Sequence, residues 1–451
     1  MKIISDWGID RITRELSGSM WTFSRLPDDS SAATFIHRCF QHETWHHVRL
    51  RERVTMCAAL PLVPLVAAML AAVFTTVNGQ AIKKRTGKGI VRQVREQIGL
   101  ALRCAILPPW YYILELHDDD KRQHASEYIN RFEMKSGLYR LLRDHNGGLP
   151  MPAERSTACI KDKIGFMSRC RKFGIATAPI LFSVAKGEIT AVDWDGPGLP
   201  EIDLFVKPLK GQNGKNTTRW DYLGAGQYRR NDGKRATTDE LLEDLRQASQ
   251  RRAFLVQPRL MNHREIADLG NGNGTLATIR VMSCRNEQGE FEVTNAVFRM
   301  AQNSTVVIDN FHKGGIAANV DIHTGELGRA SCGAWGSTVD GWYEQHRETG
   351  AQILHRKLPY WPELIDLVQY AHGSAFPDQV VIGWDVALLD SGPCMMQINK
   401  APDLDMIQRI GRGPAGNARF GKLLAFNLKR TVEARRHSLK PGLEQNETVS
   451  S

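Results

Sequence analysis

The chain has 451 residues, 42% of them hydrophobic and 24% charged, which is enough for two or three cored domains and excludes a largely disordered protein. Its eight cysteines form no CxxC pair, so neither a zinc ribbon nor a disulfide framework is indicated, and a reducing cytoplasmic setting follows. The net charge of +10 suits an anionic partner, an anionic membrane surface rather than nucleic acid, with a merely solvated basic face as the alternative.

Residues 1–150 read as a basic, helical region. "HETWH" (His42–His46) matches HExxH, which on a helix sets two histidines one turn apart for zinc with glutamate as base. No metzincin continuation follows, and a basic surface helix is the competing reading. "VTMCAALPLVPLVAAMLAAVFTTV" (Val54–Val77) carries no charge, and its 24 residues reach about 36 Å as a helix, enough to cross a bilayer. Pro61 and Pro64 count against a span; a buried or surface-lying helix is the alternative. The basic run Lys83–Arg95 that follows would keep the larger C-terminal part on the cytoplasmic side, at the inner face of a membrane. Helical apolar spacing at Tyr128, Ile129, Phe132, Leu138 and Leu141 predicts a helix, and "NGGLPMPAE" (Asn146–Glu154) a linker.

From 151 onward helices and strands mix, as in an α+β chain: a first unit over 151–256, a second over 257–436, and a polar, disordered tail over 437–451. The spacing predicts helices at Lys161–Phe173, Thr238–Gln250, Pro362–Gly373 and Gly416–Ala434. Strands are predicted in "APILFSV", "DLFVKPL", "AFLVQPRL", "TLATIRVMSC", "FEVTNAVFRMA" and "GGIAANVDI". "VVIGWDVALLDSGPCMMQINKAP" reads as a hairpin turning at Asp390-Ser391-Gly392.

Several of these carry chemistry. Asp385 sits in an apolar strand, and alternation puts Gln397 and Asn399 on one face of the next. Oxygen donors on rigid strands suit a hard cation such as Mg²⁺, although two of the three are neutral. "DLFVKPLKGQNGKN" brings Lys207 into a glycine loop at Gly211 and Gly214, suited to phosphate but not a P-loop, because Leu209 and Asn216 break that pattern. Arg280 lies between apolar neighbours, where a cation needs an anion; a structural ion pair would supply one. His312 and Lys313 precede two glycines in a cationic stretch.

In this order the motifs resemble the ATP-grasp superfamily, in which two α+β lobes enclose MgATP, and most closely its sugar-transfer-associated branch. The resemblance runs from "RTGKGIVRQVREQ" and "LPPWYYILELH" through "KDKIGFMSRCRKFGI", "DLFVKPLKGQNG", "FLVQPRLMNHREI" and "DNFHKGGIAANVDIHTGEL" to "VIGWDVAL" and "QINKAPDLDMIQ". It implies that Lys163 and Lys207 meet ATP phosphates, that Gly211, Gln212, Asn213 and Gly214 close over them, and that Gln257, Arg259 and Leu260 belong to the hinge receiving adenine. It implies Arg280, His312 and Lys313 facing phosphates or an acceptor carboxylate, and Asp385, Gln397 and Asn399 at the magnesium positions. The implied activity is carboxylate–amine ligation through an acyl phosphate, on a small-molecule or saccharide acid and an amine. The chain departs from the pattern at Gln397, where glutamate is usual, and Lys400 adds a positive charge beside it; a nucleotide-binding module without turnover is the alternative these changes raise.

Overall fold

The computed structural model describes residues 26, 29–46, 49–161, 163–210, 216–270, 274–302, 309, 311, 315–333 and 341–439. Thirteen strands among them form two sheets, every strand pairing antiparallel to its neighbours. The first sheet comprises β1 (Phe182–Ala185), β2 (Glu188–Ala191), β3 (Leu204–Pro208), β4 (Thr218–Gly224), β5 (Gln227–Arg230), β6 (Arg235–Thr237) and β7 (Phe254–Pro258). Its order is β2-β1-β7-β3-β4-β5-β6. The second comprises β8 (Thr278–Arg285), β9 (Phe291–Met300), β10 (Ile316–Val320), β11 (Leu327–Cys332), β12 (Val381–Leu389) and β13 (Gly392–Asn399), in the order β11-β10-β9-β8-β12-β13.

Among the described residues, the helices that position these sheets include α1 (Ala32–His46), α2 (Leu50–Thr86), α3 (Ile90–Cys104), α4 (Pro108–Ile113), α5 (Lys163–Lys172), α6 (Thr238–Ser249), α7 (Trp361–Ala375), α8 (Leu404–Ile410) and α9 (Arg419–Leu439). Alternation divides the first sheet cleanly. Leu204, Val206 and Val256 turn to one side and join Leu241 and Leu245 of α6 in a core. That helix starts where its sequence directs, since the Thr237 hydroxyl accepts from the Glu240 amide while the Glu240 carboxylate accepts from the Thr237 amide. In the second sheet Ile279, Val281, Phe298, Ile382, Trp384 and Val386 face α5 and α7. Leu255 of β7 belongs to this same core, so the two sheets meet there.

The N-terminal helices share a core with the opposite face of the second sheet: Phe74, Leu107, Tyr112 and Leu138 cluster with Met282, Cys284, Val297 and Val381, and with α8 and α9. The segment expected as a linker is anchored here. Arg285 donates to the Asn146 carbonyl at 2.9 Å and Arg430 Nε to the Gly147 carbonyl at 2.6 Å. Gly148, at φ +80°, passes so close to Arg430 that a Cβ would come within 2.6 Å of its carbonyl oxygen.

The helix expected between Asp118 and His145 is broken into short pieces. Asn130 starts a new one by accepting from the Phe132 amide, and Glu133 closes the capping box, so apolar period alone misread the stretch. The β4–β6 hairpins escaped the sequence reading, although Gly224, Gly226 and Gly233 all adopt the positive φ that their turns require. The last helix runs through Leu439, past the expected start of the tail; from 440 the tail lies outside the described residues.

Candidate functional site

On β3 and β7 the register pairs Lys207 with Leu255 and Phe205 with Gln257, so Lys207 and Gln257 share the face opposite the α6 core. Lys163, the first residue of α5, donates to the carbonyls of Pro208 at 2.7 Å and Leu209 at 3.2 Å, tying that helix to the end of β3. Lys207 has no hydrogen-bond or ion-pair partner among the described residues. Burial, reinforced by the charge of Lys163, lowers its pKa to about 8, and Cys394 and Asp385 across from it offset this only in part. Burial also pushes Lys163 down. Two cations thus stand together without a carboxylate of their own among the described residues.

The polar end of the second sheet faces them. Register places Asp385 opposite Arg280 on one side and opposite Gln397 on the other, with Asn399 one pair along and Arg299 opposite Thr278. All six side chains therefore share one face. Arg280 Nε donates to Asp385 Oδ1 at 2.7 Å, and Arg299 Nη2 lies 3.2 Å from the same oxygen. Asn399 donates to Asp385 Oδ2 at 3.3 Å, and the Gln397 side-chain amide to Asn399 Oδ1 at 3.4 Å. Arg299 Nε also lies 3.5 Å from Asp309, whose carboxylate accepts from the Thr278 hydroxyl. Burial alone would raise the Asp385 pKa, but Arg280 and Arg299 hold the carboxyl below the usual carboxylate range. Asp309 is pushed up by burial and by Asp385, against the pull of Arg299.

Sequence reasoning missed Arg299 and Asp309. The signal that singled out Arg280, a lone arginine inside an apolar strand, is equally present in "NAVFRMA". Of the expected hinge, Gln257 is buried and donates to the Pro179 carbonyl at 2.8 Å, whereas Arg259 is held by Asp203 at 3.0 Å and Asp221 at 3.2 Å. Leu260 packs, half-buried, on the core between the lobes. Lys400 turns away from the site and lies over the Tyr139 ring. Gly211, Gln212, Asn213, Gly214, His312 and Lys313 lie outside the described residues. At the HExxH match the Glu43 carboxylate is buried and ion-paired with Arg435 at 2.8 Å, and His42 is exposed. Among the described residues no group of three or more His, Cys, Asp or Glu side chains is placed to hold a metal.

Residues 149–415, more than half of the chain, match the family described as sugar-transfer associated ATP-grasp. The chain belongs to that family. This ATP-grasp chain is also similar to solved structures, each at low identity. An L-amino acid ligase from Bacillus licheniformis is 11% identical with a TM-score of 0.37, over 70% of this chain and 59% of the other. A D-alanine–D-alanine ligase from Bacillus anthracis is 14% identical with a TM-score of 0.35, over 69% and 80%. An N5-carboxyaminoimidazole synthase from Aspergillus clavatus is 12% identical with a TM-score of 0.33, over 61% and 52%. The chain thus spans between half and three-fifths of the length of two of these three. No curated protein sequence matches it.

The donor set of the ATP-grasp cleft can be tested against a nucleotide and a metal. An unpartnered Lys207 beside Lys163 fits a polyphosphate, because each cation lacks a carboxylate that an anion would have to displace. A cation held by protein alone does not fit. The two carboxylates here, Asp385 and Asp309, are both engaged by arginine, and the remaining donors are amides.

Proposed function

We propose that this ATP-grasp protein is an ATP-dependent carboxylate–amine ligase. The observation that carries the reading is the Lys163–Lys207 pair, unneutralised on one side of a cleft whose other side is an arginine-bound aspartate. Lys163 and Lys207 hold the phosphates, the 211–214 loop closes over them, and Gln257 with the 258–260 segment borders the base. Arg259, already bound by two aspartates, supports that segment rather than touching the nucleotide.

In the first step a carboxylate oxygen attacks the γ-phosphorus; an O–P bond forms, the bond to ADP breaks, and an acyl phosphate results. An amine then attacks the acyl carbon, phosphate leaves, and the amine loses a proton as the amide forms. Two anions must approach each other in the first step, so Lys207, Lys163 and Arg280, joined by His312 and Lys313 as the family resemblance implies, serve to offset their repulsion. Magnesium, when bound, supplies further charge neutralisation at the phosphates. Asp385 is the one carboxylate that would hold it, with the Gln397 and Asn399 side chains beside it, and this set suits a single ion completed by phosphate oxygens. A sugar acid or a saccharide-linked carboxylate is the acceptor in this reading, supported only by the family's description as sugar-transfer associated.

A second reading has its own observation. Both Asp385 oxygens already accept hydrogen bonds or ion pairs, and the neutral Gln397 adds no charge, as would suit a nucleotide-binding module without turnover. Calorimetric ATP binding combined with phosphate release in the presence of candidate sugar acids and amines separates them. Ligation gives acceptor-dependent phosphate; a binding module gives affinity alone; absence of ATP binding removes both.

A further inference from the structure

Helix α2 is apolar on two faces, and the described residues cover only one of them. Val63, Ala67, Leu70, Phe74 and Ile82 enter the N-terminal core. The covered face is also locked by polar groups: Gln97 donates to the Thr75 hydroxyl at 2.8 Å, Tyr112 to the same oxygen at 3.1 Å, and Gln93 to the Gly79 carbonyl at 3.0 Å. On the other face Leu65 is 71% exposed, Val54 60%, Met69 58% and Leu62 53%, with Val73 and Val77 continuing the line. From Leu62 to Val77 these positions recur every three to four residues, the period of a helix face, and Val54 lies on the same face about two turns earlier, so the stripe runs over about 35 Å. Soluble surfaces scatter single apolar residues; a contiguous stripe of this length marks a contact.

The ends of the stripe indicate its partner. Between Arg49 and Gly87 six basic residues flank the charge-free run, three at each end, against the single acid Glu52. Arg49, Arg51, Lys83, Lys84 and Arg85 are exposed. Helical spacing brings Arg51 and Lys84 into line with the stripe, one beyond each end. We infer that α2 lies in the plane of an anionic lipid bilayer, its apolar stripe sunk to the acyl boundary and its basic ends on the headgroups. A surface-lying helix buries one face in lipid and keeps the other on protein, as this one does. Crossing the bilayer would take Thr75, Asn78 and Gly79 and their polar partners Gln93, Gln97 and Tyr112 into hydrocarbon or tear the network apart. The inference is independent of the ligase reading.

The test is co-sedimentation of the full-length protein with phosphatidylcholine vesicles with and without one-third phosphatidylglycerol. Wild-type protein is expected to pellet with the anionic vesicles and to be released by high salt combined with alkaline washing. Leu65→Asp/Met69→Asp should lower partitioning roughly tenfold or more, and Lys83→Glu/Lys84→Glu should abolish the preference for anionic lipid, both with unchanged thermal melting. Protein that stays in the supernatant overturns the inference, as does pelleting indifferent to the Leu65/Met69 pair. Resistance to alkaline extraction would replace it with a span, and a dimer dissolved by Leu65→Asp would assign the stripe to a second copy of the chain.

Discussion

The two sides of the cleft treat positive charge in opposite ways. On β8 and β9, Arg280 is buried and Arg299 largely so, and both converge on one oxygen of Asp385, although Arg299 Nε has no hydrogen-bond partner among the described residues. On β3, Lys207 is half-buried with no counter-ion among the described residues and a lysine for a neighbour. A paired arginine is what a protein needs for its own stability; an unpaired, partly desolvated lysine is destabilising and therefore points to an anion supplied from outside. The difference separates scaffold from ligand-facing charge although both occupy one cleft.

Removing Asp385 should have the largest effect on that contrast. Asp385→Ala leaves Arg280 and much of Arg299 buried without an anion, so it is expected to lower stability by about 3–5 kcal/mol and to abolish turnover. Chemical denaturation measures the first; a loss below about 1 kcal/mol would mean that the arginines do not depend on it.

Lys207→Met should act the other way on stability. The folded pKa of about 8 lies below the ordinary lysine value, so the charged form costs stability at every pH below about 8, and the cost fades as pH rises from there toward the unfolded value. The substitution should therefore stabilise the apo protein by about 1–3 kcal/mol near neutrality, with the gain shrinking above pH 8, while ATP affinity falls roughly tenfold or more. Thermal melts at several pH values and calorimetry check both, and a destabilised Lys207→Met would erase the contrast.

The same titration sharpens the comparison in the intact protein. Bound phosphate favours protonated Lys207, so ATP affinity should weaken above pH 8, approaching about tenfold per pH unit, and Lys207→Arg should remove the dependence. The smallest effect is expected at Gln397→Glu. A second carboxylate beside Asp385 should tighten magnesium several-fold in the presence of nucleotide, because the neutral amide contributes no charge. Unchanged magnesium affinity would place position 397 outside the metal site.

Local grammar was legible in the chain. The start of α6, the β12–β13 hairpin with its glycine turn, and the alternation that puts Gln397 and Asn399 on one face depend on neighbours a few residues apart. The same holds for the lone Asp385 and Arg280 in apolar strands. The short helices between Asp119 and Asp144 show where local reading fails: Asn130 competes with helical periodicity, and the winner is decided by buried contacts such as His37 with Glu133 at 2.6 Å.

What the sequence by itself determined is therefore the inventory: an aspartate and arginine within apolar strands, a lysine leading into a glycine loop, and an uncharged helix long enough to meet a membrane. The tertiary structure alone decided their pairing. Arg280 and Asp385 are 105 residues apart, and only the β8–β12 register makes them partners; the β8–β9 register brings Arg299 to the same oxygen, and Lys207, on the other sheet, has no such partner among the described residues. It also decided which face of α2 is covered, because burial depends on Gln93, Gln97 and Tyr112 arriving from later helices, whereas the stripe's period would be the same on either face. Periodicity and residue chemistry are properties of short stretches of chain; charge balance and exposure depend on contacts between distant ones.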